Sequence, residues 1–105
     1  MSIDPDQVQH ERSPSGGRFT YAFPDGAVAE LSYLERSGVV TITHTGTPPH
    51  HRGQGVAAAL VAAAVAVFRA AGQKVIPACS YARDQFQGHP EWGDVLFRAE
   101  ENTHG

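Results

Sequence analysis

Six consecutive residues, Arg52-Gly53-Gln54-Gly55-Val56-Ala57, combine a cation, two positions without side chains and the start of a long alanine- and valine-rich run. That combination suits anion chemistry. The first turn of a helix leaves backbone N–H groups without intrahelical partners, and the helix dipole adds about half a positive charge at the same end. Glycine has no Cβ, so a phosphate or pyrophosphate can approach the backbone closely at Gly53 and Gly55. Arg52 adds a guanidinium beside the same spot. The same glycines also suit a bare loop-to-helix turn, and spacing alone leaves both readings open. Two common phosphate loops are excluded. No Gly-Lys-Ser/Thr follows, as a Walker loop requires, and the third glycine of a dinucleotide-binding fingerprint is missing.

Histidines are the other candidates. His44 ends a β-branched run, and an imidazole is the ordinary base near neutral pH. A half-exposed strand histidine with no chemical role fits the position equally well. His50 and His51, with His44 or His89, raise the question of a metal. Neighbouring histidines usually point apart, and no Cys/His spacing supports zinc, so no metal is expected. Ser80 is a natural helix N-cap, and Asp84 reads as a solvent-facing residue of the same short helix. Trp92, Tyr33 and Phe68 read as core.

Local patterns then say which elements carry these residues. Residues 1–16 read as a flexible tail, from which Ile3 and Val8 are able to dock on the domain. "RFTYAFP" alternates with period two, so Phe19, Tyr21 and Phe23 share one face of a strand. Pro24, Asp25 and Gly26 mark a turn. "AVAELSYLER" alternates again, with Ala29, Leu31 and Tyr33 opposite Val28, Glu30, Ser32 and Leu34. Ser37-Gly38 is the next turn, and "VVTITHT" is a third strand. Short turns between three strands imply an antiparallel meander. A helix is expected from about Gly53 or Gln54 to Ala71, with Gly72 as its C′ residue. Its apolar positions include Val67 as well as Leu60, Val61, Val65 and Phe68, which implies burial on more than one side. "KVIPA" reads as a short buried strand, "SYARDQFQ" as a short helix, and Pro90 as the first residue of another. The domain spans 17–98, and 99–105 form a polar tail.

Bulk composition narrows the partners. A chain of 105 residues fits one domain, and a formal charge of -3 argues against nucleic acid. A single cysteine rules out an intramolecular disulfide and fits a reducing cytosol, so a cytoplasmic location is expected. The polar start has no apolar signal region, and the run from Val56 to Ala71 is too short and too alanine-rich for a membrane span. A monomer without membrane association is expected.

The six-residue turn also fits the Arg/Gln-x-x-Gly-x-Gly/Ala signature of the GCN5-related N-acetyltransferases. "HTGTPPHHRGQGVAAALV" and "IPACSYARDQFQGHPEW" resemble two segments of that superfamily's minimal members, the subfamily similar to N-acetyltransferase domain-containing protein 1. The resemblance covers residues 17 to 97. It implies a small α+β fold: the three-stranded meander, the long helix, then a fourth strand parallel to the third, with short helices at the C-terminal end. It implies acetyl-CoA as co-substrate and an amine as acceptor. The turn would hold the pyrophosphate of coenzyme A, with Thr45, Gly46, Thr47, Arg52, Gly53, Gln54, Gly55, Val56, Ala57 and Ser80 as the cofactor-binding set. The pantetheine arm would lie where the strands at 39–45 and 74–78 splay apart. Gly46 stands where relatives often carry a large or acidic residue.

Acetyl transfer then sets the catalytic candidates, and the resemblance places Cys79 near the cofactor thiol. Cys79 follows the fourth strand. It is a small buried hydrophobe, or a thiol near the acetyl group, nucleophilic if the following helix start stabilises its thiolate. Tyr81 either donates a proton to the departing thiolate or packs its ring on the core. His44 is the candidate base. Two functions follow: an acetyl-CoA-dependent N-acetyltransferase, or a module that binds CoA or acyl-CoA without turnover. The second draws on the small size of the domain and the lack of an evident carboxylate base.

Overall fold

The computed structural model describes residues 7–98. Tight turns set its topology. Strand β1 (Gln9–Ser13) returns through Pro14 and Ser15 into β2 (Gly16–Ala22), which pairs with β3 (Val28–Arg36), which in turn pairs with β4 (Val39–Gly46). Ser37 and Gly38 both adopt left-handed conformations, φ 54° and 80°. That is the two-residue hairpin geometry that matches strand twist. A short 3-10 turn (Pro49–His51) leads to helix α1 (Val56–Ala70), which carries the chain across to β5 (Lys74–Pro77). The sheet order is β1-β2-β3-β4-β5, antiparallel except for the parallel β4–β5 pair. Helix α2 (Ser80–Gln87) and a 3-10 segment (Pro90–Asp94) follow. The residues after them cover the open edge of β5: Val75 N–H donates to Val95 O at 2.7 Å, and Phe97 N–H to Val75 O at 2.8 Å. Among the described residues no helix is long and apolar enough to cross a membrane.

The α+β arrangement expected from sequence is present, with one more strand. Residues 9–13 are not tail but an edge strand. Their sequence, QHERS, has no apolar alternation to announce it. One imidazole anchors the strand: His10 stacks on Phe19 at 3.9 Å and its Nε2 lies 2.5 Å from the Tyr33 hydroxyl. The remaining charges suit an edge strand, where polar side chains discourage pairing with other chains. Val8 packs half-buried against the core; Ile3 and the tail 99–105 lie outside the described residues.

Helix α1 buries one stripe rather than several sides. Val56, Leu60, Val61, Ala64, Val65 and Phe68 are buried, while Val67 is exposed. The other positions are mostly alanine, which favours helix without demanding burial. The stripe packs on Phe19, Leu31, Tyr33, Val40 and Ile42, and the Phe68 ring meets Tyr33 edge-on at 5.0 Å. The helix starts at Val56, later than expected, because Gly53 and Gly55 take φ 85° and 81° and cannot be helical. It ends as expected. Gly72, φ 72°, is the C′ residue, and Gln73 N–H donates to Phe68 O at 2.9 Å, the bond that closes a Schellman cap.

Candidate active site

An irregularity in β4 decides which way the site residues face. Ser32 pairs with His44 but Tyr33 pairs with Ile42, so Thr43 is an extra residue in the ladder. Such a bulge exchanges the two faces beyond it. Simple alternation puts His44 beside Ile42, toward the core. The bulge instead puts Thr45 on the helix-bearing face, opposite Leu31, and His44 on the other face, opposite Ser32 and exposed. Gly46 follows on the same face as His44. A Cβ there would stand 2.9 Å from His44 Nε2, so the imidazole lies over the space a side chain would take.

Beside the bulge, β4 and β5 separate. Their ladder ends at Ile42 and Pro77, and Ile42 O accepts both Ala78 N–H and Cys79 N–H at 3.1 Å. Strand β4 runs on to Gly46 without a β5 partner. In front of this divergence lies a cavity of about 560 Å³, lined by Thr45, Gly46, Thr47, His51, Arg52, Gly53, Gly55, Val56, Ala57 and Tyr81. A Cβ at Gly53 or Gly55 would meet no atom within 4 Å, so these glycines answer to their left-handed backbone, not to crowding by the protein. No side chain caps the N-terminus of α1. Arg52 is exposed, held only by a long bond from Nε to Thr47 O at 3.4 Å, and among the described residues it has no carboxylate partner. Two buried polar atoms at the cavity lack hydrogen-bond partners among the described residues, Thr47 Oγ1 and His51 Nδ1.

Cys79 sits behind this wall. It, and not Ser80, is the N-cap of α2: its backbone is extended, φ -83° and ψ 149°, and Sγ accepts the Ala82 N–H at 3.4 Å. Ser80 is the first helical residue and is exposed. Thr45 Oγ1 lies 3.3 Å from Cys79 Sγ, which ties the thiol to the cavity lining. Burial pushes the Tyr81 hydroxyl above its ordinary value. Of the residues singled out from sequence, Thr45, Gly46, Thr47, Arg52, Gly53, Gly55, Val56, Ala57 and Tyr81 share the cavity. Gln54, Ser80, Cys79 and His44 do not line it.

Sequence reasoning missed the role of Asp25. The 3-10 turn does not separate the neighbouring histidines, as backbone statistics suggest; their rings lie 4.3 Å apart. The Nε2 atoms of His50 and His51 lie 3.1 and 2.9 Å from the same Asp25 Oδ2. Asp25 Oδ1 accepts the Ala27 N–H at 3.0 Å, and the His51 ring stacks on Phe23 at 3.7 Å. The Ala27 N–H, then His51 and His50, hold the Asp25 carboxyl far below the usual carboxylate range. The turn signal at Pro24–Gly26 was visible, but nothing local links it to residues 50 and 51.

Comparison with known proteins agrees with this architecture. The family model of GCN5-related N-acetyl-transferases matches residues 18–95. The chain is similar to the solution structure of a GCN5-like candidate N-acetyltransferase from Staphylococcus aureus, with 26% identity, a TM-score of 0.67, and coverage of 93% of this chain and 96% of that one. No curated protein matches the sequence significantly. A match over most of the sequence, on a sheet whose β4 and β5 part beside a glycine-lined helix start, makes this chain a member of the GCN5-related N-acetyltransferase family.

Proposed function

We propose that this domain, similar to the minimal N-acetyltransferase domain-containing protein 1 subfamily, moves an acetyl group from acetyl-CoA to an amine. The observation that carries the reading is the uncapped start of α1, which opens through left-handed Gly53 and Gly55 into the cavity beside the β4–β5 divergence. The lining suits the cofactor: backbone donors and Arg52 for the pyrophosphate, and the unpartnered Thr47 Oγ1 for a further polar contact. Gln54, Val56, Ala57 and Ser80 complete the proposed contacts by position in the turn and at the start of α2.

Bound acetyl-CoA would supply the thioester. The chain's residues have three tasks. A backbone N–H along the unpaired stretch of β4 stabilises the developing oxyanion. The Tyr81 hydroxyl, which lines the cavity, gives its proton to the departing thiolate. A base takes the proton lost by the amine. His44 is the candidate for this last task by residue type, although it stands exposed on the face of β4 away from Thr45 and does not line the cavity. Cys79, held by Thr45 behind the lining, favours a supporting place near the acetyl group, with direct attack by the amine preferred over an acetyl-thiol intermediate.

Release of free thiol from acetyl-CoA, followed with a panel of small amines and peptide amines, tests the reading. Turnover with any acceptor supports it. One observation favours the second reading, a non-catalytic CoA or acyl-CoA module: among the described residues no carboxylate lines the cavity. Stoichiometric CoA binding without turnover on the whole panel would establish that alternative.

A further inference from the structure

We propose that Asp25, His50 and His51 form a binding site for a divalent transition metal, with zinc as the ion it fits. The site stands on its own geometry and on no reading of the cavity's ligand. One ligand atom from each residue comes together, all within 4.8 Å of one another. Two of the separations, 2.9 and 3.1 Å, are those to Asp25 Oδ2. A tetrahedral zinc with bonds near 2.05 Å sets its ligand atoms about 3.3 Å apart, so the two separations to Asp25 need to change by only a few tenths of an ångström, while the imidazole nitrogens, within 4.8 Å of one another, close toward the same distance. Two imidazoles and one carboxylate suit zinc and its neighbours in the first transition row, and not calcium or magnesium, which prefer oxygen cages.

The residues around the three ligands hold them in place, as outer partners do in metal sites. The Ala27 N–H binds Asp25 Oδ1 and leaves Oδ2 aimed at the histidines. Phe23 stacks on His51 and fixes its ring plane, 8° from parallel. Both Nε2–H groups donate to the carboxylate in the metal-free form. To bind metal, each imidazole carries its proton on Nδ1 instead, which frees Nε2 as a ligand. The site closes a clip between the β2–β3 turn and the segment just before Arg52, and three protein ligands leave a coordination position open.

The test is a titration of the full, chelator-treated chain with zinc in the absence of coenzyme A, followed by calorimetry, with cobalt as a visible-absorption probe. The expected result is one equivalent of metal and a melting temperature that rises with zinc concentration. Asp25→Asn keeps the acceptor for Ala27 N–H, and His50→Ala removes a ring with a 64% exposed side chain, so both variants should keep the fold. Each should weaken zinc by about tenfold or more, and the cobalt absorption should diminish. His89→Ala, at the separate His89–Glu91 pair, should bind as the unaltered chain does. No stoichiometric binding by the unaltered chain, or equal affinity in folded Asp25→Asn and His50→Ala, overturns the proposal.

Discussion

The two α-helices begin in opposite ways. Helix α1 starts from a left-handed glycine with no side-chain cap and opens onto a cavity. Helix α2 starts from an extended Cys79 whose sulfur takes the Ala82 N–H. Both beginnings present the same orphan donors and the same dipole. What differs is whether the protein satisfies its own donors. At α2 a side chain does so, and the helix start is structural. At α1 the donors are left to solvent or to a ligand, and the cost of two left-handed residues is kept low by glycine. A helix start is informative about function only where the chain has declined to cap it.

The sharpest way to break this comparison is to close the open start. Gly55→Glu should abolish CoA binding, because it puts a carboxylate where a phosphate is expected, on a backbone with φ 81°. Strain alone costs about 1–3 kcal/mol in stability, so Gly55→Ala, equally strained but uncharged, is the control. Calorimetry should show CoA binding lost in folded Gly55→Glu; affinity equal to the unaltered chain would end the anion reading.

Arg52 sharpens the electrostatic half of the comparison. A charge-assisted hydrogen bond contributes about 1.5–3 kcal/mol, so Arg52→Ala should weaken CoA roughly tenfold to a hundredfold. The loss should shrink at high salt, because the guanidinium is exposed. A change in melting temperature with unchanged affinity would make Arg52 structural.

Closing experiments at α2 should have smaller effects. Cys79→Ala removes the cap and should cost no more than about 1 kcal/mol in stability, while Cys79→Ser, which keeps an acceptor, recovers part of it. Ser80→Ala should change stability by less than about 0.5 kcal/mol, since Ser80 is not the cap. If the amine attacks directly, Cys79→Ala also retains much of the turnover. A trapped acetyl adduct in the unaltered chain, with all turnover lost in a folded Cys79→Ala protein, would make the thiol a nucleophile and α2's start chemical after all.

The smallest effect serves as a control remote from both helix starts. Burial, then the nearby Arg12, lowers the His10 value below 6.5. The unfolded chain therefore takes the proton first. His10's contribution is complete above pH 6.5 and declines as pH falls through 6.5 toward the lower folded value. Urea midpoints should fall across that window in the unaltered chain and show less of a slope in His10→Phe, which keeps a ring over Phe19. Equal slopes would mean that the β1 anchor does not depend on a neutral imidazole.

The candidate turn at Arg52–Ala57 was legible because its signal is local, whereas His51, which also lines the cavity, had none. A cation, two glycines and an apolar run lie in one stretch, and helix starts follow from neighbouring residues. The alternation of Ala29, Leu31 and Tyr33 was legible for the same reason, as was the Gly72 stop. Alanine in α1 misled the expectation of burial on several sides, since hydrophobicity alone does not separate a helix former from a core residue. The strand at 9–13 was illegible because its single buried contact is a histidine whose partners, Phe19 and Tyr33, lie on two other strands.

The amino-acid sequence by itself determined the meander, the long helix, the return strand and the place of the glycine turn, because period, turn chemistry and caps act over a few residues. Only the tertiary structure decided the facing of His44, which hangs on one extra residue, Thr43, between β3 and β4. It also decided that Cys79 and not Ser80 caps α2, and that Asp25 meets two histidines about twenty-five residues away. These depend on register between distant segments. Register is set by how the Leu31, Ile42 and Phe68 core packs as a whole, and no short window of sequence contains that information.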